Sequence, residues 1–208
     1  ARRGAGGGVG VAVRHSVDTS LPLLRAFPNL TLVQADLLTP PLRRACFDLV
    51  TAIGVLHHLA HPGEGLRTAV SLAKEDSGEV FVWVYSQEGN HWTARAVDPL
   101  RTRLCRWPVV QVRRWVASPL SQVIYAGAWT LHHPRLPAWV YRRFPKAEYI
   151  HSASRQSRGE IVHMVTDQLI APTTHYVTRR SLEAWSTAAG ASIRRMSHDN
   201  GMSWQVHL

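Results

Sequence analysis

The sequence predicts an α/β fold: a doubly wound, mostly parallel sheet that ends in an antiparallel hairpin and carries a helical insertion. Three observations carry this prediction. Strand-like and helix-like segments alternate over residues 9–85. The segments at 47–53 and 79–85 are near-continuous apolar runs, as strands buried on both faces require. Near the C-terminus, Asp199-Asn200-Gly201 separates two further strand-like segments, and Asn-Gly tolerates the positive φ of a tight hairpin turn.

The elements follow in order. Gly4 to Gly10 is a glycine-rich lead; it opens a strand, whereas a phosphate-cradling glycine loop follows a strand and opens a helix. Residues 9–13 (VGVAV) form a short strand. Residues 17–27 suit a helix with Ser16 as N-cap, kinked or delayed by Pro22. Residues 30–35 are a strand ending at Asp36, and Thr39-Pro40-Pro41 is a loop. After the strand at 47–53, residues 63–75 form an amphipathic helix with Leu66, Ala69, Val70 and Ala73 on one side. The strand at 79–85 completes the set.

Residues 86–160 change character: Trp92, Trp107, Trp115, Trp129 and Trp139 fall there among prolines and arginines. Helices are expected at 91–106, 108–116 and 119–131, then loop and short helix over 135–158. The segment reads as an insertion or cap within a single domain spanning 1–208. Thr178 caps a last helix that runs to Ala189, turns Leu182 and Trp185 inward and stops at Gly190. The hairpin strands are 192–197 and 203–208.

Composition sets bounds. A chain of 208 residues and 23.3 kDa with 45% hydrophobic residues can bury a core. The net charge of +10 comes from 22 Arg and only 2 Lys, scattered mostly as pairs. That pattern reads as compositional bias on a solvated surface, so nucleic acid is not the expected partner. No apolar run reaches the length of a membrane span, and glycines follow the N-terminal arginines, so neither a membrane partner nor a signal peptide is expected and the location is read as cytoplasmic. Cys46 and Cys105 lack metal or redox spacing. His57, His58 and His61 match no standard zinc pattern, so no metal is expected.

The stretches VQADL, FDLVTAIGVLHHL and GLRTAVSLAKEDSGEVFVWVY, followed by the late hairpin, resemble a class I S-adenosylmethionine-dependent methyltransferase, a Rossmann-like fold, of the small-molecule type with GVLHH after the fourth strand. The resemblance covers residues 9–85 and, more loosely, 160–208. It implies S-adenosyl-L-methionine as cofactor and a small-molecule methyl acceptor. It implies that Asp36 accepts from the adenine amino group, that Leu37 packs on the ring, and that Gly54 and Val55 line the methionine portion. His57 or His58 is implied either to act as general base or to shape the acceptor pocket. Asp167, His175 and Tyr176, in a polar loop ahead of the last helix, are implied acceptor contacts.

The sequence also departs from that family. The first strand and its glycine loop are expected before VGVAV, where only eight residues stand, and the chain begins without Met. It is therefore expected to be an N-terminally shortened, impaired form of such an enzyme. The acidic residue that would chelate the ribose hydroxyls falls at Ala12, which has no side-chain acceptor. Two rival readings stand beside it: a non-catalytic remnant acting through protein contacts, and an RNA-binding methyltransferase suggested by the charge.

Overall fold

The computed structural model describes residues 6–13, 26–131, 155–199 and 201–208. Most of the expected helix at 17–27, most of the segment 135–158 and Asn200 of the hairpin turn lie outside them. Six strands are described: β1 Gly8–Ala12, β2 Leu30–Gln34, β3 Leu49–Ile53, β4 Glu79–Tyr85, β5 Arg195–Asp199 and β6 Ser203–His207. The helices are α1 Pro62–Leu72, α2 His91–Leu104, α3 Val109–Val112, α4 Ser118–Leu131, α5 Arg158–Ile170 and α6 Arg179–Ala188. A 3₁₀ turn at Leu56–His58 follows β3, and a π-helical turn at Arg113–Ala117 joins α3 to α4.

The main sheet has the order β3-β4-β6-β5, with β3 parallel to β4 and the β5–β6 hairpin antiparallel. Its centre follows from alternation along β4. Val80, Val82 and Val84 face one way and are buried beneath α1 and α6, against Leu66, Ala69 and Leu182. Each such side chain contributes about 1.5–3 kcal/mol on leaving water. Phe81, Trp83 and Tyr85 stand on the opposite face, only partly buried. The helix expected at 63–75 is shorter than its amphipathic pattern, because Ala73 leaves it to bridge Phe47 and the carbonyl of Asp48 accepts from Glu79 N.

The sequence pattern suggests one continuous parallel sheet over the first 85 residues; the structure has two. Among the described residues, β1 and β2 pair in parallel with each other alone. β1 and β3 face each other across a cavity of about 570 Å3 whose walls include Val9, Val11, Leu49 and Thr51. Apolar residues along this seam are therefore open: Leu49 is 56% exposed and Ile53 60%. Parallel strands are ordinarily covered on both faces, so this seam is the principal irregularity of the fold.

The helices α2 to α5 have a core of their own, built from Leu104, Val112, Ala117, Ile161, Val165 and Leu169. Val112 and Ala117 are five residues apart, about 140° around a regular α-helix. The wider π turn between them lets both face α5. α5 was not anticipated: residues 167–170, expected in a loop, are its last turn. Its N-terminus is fixed by Ser157 Oγ accepting from Glu160 N and Glu160 Oε2 accepting from Ser157 N.

Gly89 closes the approach of the β4 end to the hairpin. Its φ is +80°, and a Cβ there would collide with the carbonyl of Gly201. Gly89→Ala is expected to cost about 2–3 kcal/mol, read as a lower midpoint in urea. An unchanged midpoint would refute this account of the turn.

Candidate functional site

The ends of β1, β2 and β3 open on one side, and the chain after each strand forms the rim of the 570 Å3 cavity: Ala12, Asp36, Leu37, Gly54, Val55 and His58. In an open α/β sheet this carboxyl edge is where ligands collect. Asp36 is exposed, and its Oδ1 accepts from Leu38 N at 2.9 Å, so the loop uses one carboxylate oxygen and leaves the other for a ligand. Leu37 is partly buried against the core while still lining the cavity. Gly54 has φ +72° and donates to Trp83 O at 3.0 Å. Its left-handed backbone suits glycine and turns the chain sharply off β3. Ala12 lies at the end of β1, and its carbonyl accepts from Ala35 N.

His57 and His58 sit side by side on the 3₁₀ turn, ring centroids 4.2 Å apart, but their environments differ. His58 Nδ1 is 2.8 Å from the carbonyl of Thr173. A carbonyl only accepts, so Nδ1 carries the proton and the neutral ring presents Nε2 as its lone pair. His57 is 1% exposed and packs 4.4 Å from Tyr85. Burial, then the neighbouring His58, Arg101 and His175 charges, push its pKa down to about 3. It is therefore neutral at physiological pH, and its Nδ1 has no hydrogen-bond partner.

The loop before α6 closes over this pair. His175 N donates to the carbonyl of His57 at 2.8 Å, and His175 Nε2 is a second buried nitrogen without a partner. The Tyr176 ring lies 6.3 Å from Tyr85, and its hydroxyl is 3.5 Å from Arg101 Nη2. Asp167 stands apart from these groups: it is exposed on α5 and pairs with His163 at 3.4 Å. It reaches the cluster only through its charge, which helps burial raise the Tyr85 pKa.

Three residues join the cluster that the sequence reading did not single out. Tyr85 comes from the uncovered face of β4, and Gln168 Nε2 donates to its hydroxyl at 3.4 Å. Arg101, buried on α2, donates from Nε to the carbonyl of Gln168 at 2.8 Å and from Nη1 to Asp98 at 2.7 Å. The histidines are thus roofed by the buried guanidinium of Arg101 from α2 and by two phenols, Tyr85 from β4 and Tyr176 from the loop before α6. Period-2 alternation along 79–85 was a signal for Tyr85; nothing in the sequence marked Arg101 above its neighbours. Among the described residues no group of three His, Cys, Asp or Glu is placed to hold a metal ion.

Comparison with known proteins bears on this arrangement. Residues 10–81 match the family model described as a methyltransferase domain. No curated protein sequence matches the chain. Among solved structures, PKMT2 from Rickettsia typhi superposes with a TM-score of 0.55 at 13% identity, over 97% of this chain and 43% of that one. An S-adenosylmethionine-dependent methyltransferase from Mesorhizobium loti gives 0.51 at 13% identity, over 98% and 80%. The chain thus spans less than half the length of the Rickettsia protein. At these identities the likeness is one of fold.

Proposed function

We propose that this chain, whose residues 10–81 belong to the methyltransferase-domain family and whose fold is that of the class I methyltransferases, transfers a methyl group from S-adenosylmethionine to a small-molecule acceptor. The observation that carries the reading is one shared rim: Asp36 and Leu37 after β2, Gly54 and Val55 after β3, and the oriented imidazole of His58 border the same cavity.

The residues present fit the cofactor at the adenine and methionine ends. Asp36 has a carboxylate oxygen for the adenine amino group, Leu37 offers an apolar surface for the ring, and the glycine turn admits close backbone approach. At the ribose position Ala12 has no acceptor. When bound, the cofactor supplies an already activated methyl group, so the protein's work is alignment, exclusion of water and handling of one proton.

His58 Nε2 takes the proton from an acceptor hydroxyl or amine, with Nδ1–H held by Thr173. His57 is too weak a base for that task and remains a neutral hydrogen-bonding wall. Tyr85, whose pKa is raised mainly by burial, remains a phenol. With Tyr176 and Arg101 it forms the roof under which the acceptor sits. Asp167, outside this roof, acts on the acceptor only at a distance.

Ala12 also supports a second reading, a methyltransferase-like chain without activity. Calorimetric titration with S-adenosylmethionine separates the two. Ala12→Glu is expected to tighten binding about tenfold to a hundredfold, the worth of a charge-assisted hydrogen bond to the ribose. Absence of heat at millimolar ligand from both wild type and Ala12→Glu would sink cofactor binding by this chain and leave the inactive reading.

A further inference from the structure

The π turn and α4 carry an outer face that the proposed chemistry does not use. From Trp115 to Leu131 the sequence has no charged residue. The inner side of this stretch packs on α5 through Ala117, Ile124 and Tyr125. The outer side is open to solvent: Trp115 is 66% exposed and Val123 69%, with Leu120 also exposed. Val110, one turn earlier, is 75% exposed. Aliphatic and indole groups gathered on one solvent face mark a contact surface.

Charge identifies the partner. Between Asp98 and Glu148 the sequence has eight Arg and one Lys and no acidic residue, which accounts for nine of the ten net positive charges. Two of these residues, and Arg158 further along the chain, have a described place beside the apolar face. Arg113 and Arg114 precede Trp115, and with Arg158 they line a shallow cavity of about 370 Å3 next to Val110. None of the three has an acidic partner among the described residues. Arg114 lies over the Trp115 ring at 5.1 Å, which holds its guanidinium at the margin of the apolar strip, and Arg158, over Tyr125 at 4.8 Å, reaches the same edge from α5.

We propose that this face is an interfacial docking surface for an anionic lipid bilayer. The strip formed by Trp115, Leu120 and Val123 enters the headgroup–acyl boundary, and Arg113, Arg114 and Arg158 bind lipid phosphates at its edge. The alternatives fit less well. A second copy would bring two strongly cationic faces together. Nucleic acid would use the arginines but has no use for exposed valines and leucine. Sequence hydropathy gives no hint of this, because it registers spans, and among the described residues no helix is long and apolar enough to cross a membrane. A face lying in the interface plane needs only one apolar side.

The test is flotation of the full chain with phosphatidylcholine vesicles, with and without one-third phosphatidylserine. Binding is expected only with phosphatidylserine and is expected to weaken in high salt. Val123→Glu should abolish it. Arg113→Gln with Arg114→Gln should lower partitioning roughly thirtyfold, about fivefold for each arginine. All three positions are exposed, and an unchanged thermal midpoint verifies folding. Absence of flotation overturns the proposal. So does binding that survives Val123→Glu, a dimer in solution that Val123→Glu dissociates, or single-stranded RNA that displaces the vesicles and binds the Val123→Glu variant as tightly as wild type.

Discussion

His58→Asn is expected to lower kcat by about two to four orders of magnitude, the usual worth of a positioned general base. S-adenosylmethionine affinity should stay within about threefold, because the substitution removes proton transfer and leaves the cofactor rim intact. Asparagine suits this purpose: its side-chain amide can still donate to the Thr173 carbonyl, which Nδ1 of His58 reaches at 2.8 Å, but offers no basic nitrogen. Exogenous imidazole should restore part of the rate, an effect that a purely structural role for His58 would not produce. His57→Asn should behave differently. With a pKa near 3 the ring carries little basicity, so its loss should act through acceptor binding and appear in KM. Equal loss of kcat in both variants, without imidazole rescue, would remove the assignment of His58 as base.

What the sequence disclosed and what it hid follow from range. The strands were legible because their signals are local: Val80, Val82 and Val84 alternate with a two-residue period, and Asp36 and Gly54 stand where their strands end. The cap on α6 was legible for the same reason, as Thr178 Oγ1 accepts from Ser181 N. α5 carries comparable signals, Ser157 and Glu160 at capping-box spacing ahead of Ile161, Val165 and Leu169, but the polar residues at its end read locally as a loop. Other features are matters of tertiary structure. The difference between His57 and His58 depends on Thr173, more than a hundred residues away, and on which ring is buried beneath Tyr85 and Arg101. The division of the sheet at the β1–β3 seam likewise appears only when edges are matched, since each strand alone reads as a normal parallel strand. The outer face of α4 was hidden in another way. Trp115 beside it suggests packing, and only its 66% exposure shows that most of the ring is open to solvent.

His57 also gives the fold a specific sensitivity to acid. Its pKa is about 3 in the folded chain against 6.5 as the ordinary value. Between those limits the unfolded chain binds more protons than the folded one, so stability rises with pH. The contribution is complete above about pH 6.5 and is lost as pH falls toward 3. Its ceiling, at 1.36 kcal/mol for each pH unit, is about 4–5 kcal/mol. Carboxylates complicate the lower part of that range, because Asp48, held down by the Lys74 hydrogen bond, also loses its stabilising charge there. The informative window is therefore pH 5 to 6.5, where carboxylates stay ionised and His57 alone should cost about 2 kcal/mol. Urea unfolding across that window is expected to give a slope for wild type that is steeper than for His57→Gln by up to about 1.4 kcal/mol per pH unit. The comparison of slopes cancels whatever the substitution costs at neutral pH. Parallel slopes would mean that His57 accepts a proton in the folded state, and then both its burial beneath Tyr85 and its exclusion as the catalytic base would fall together.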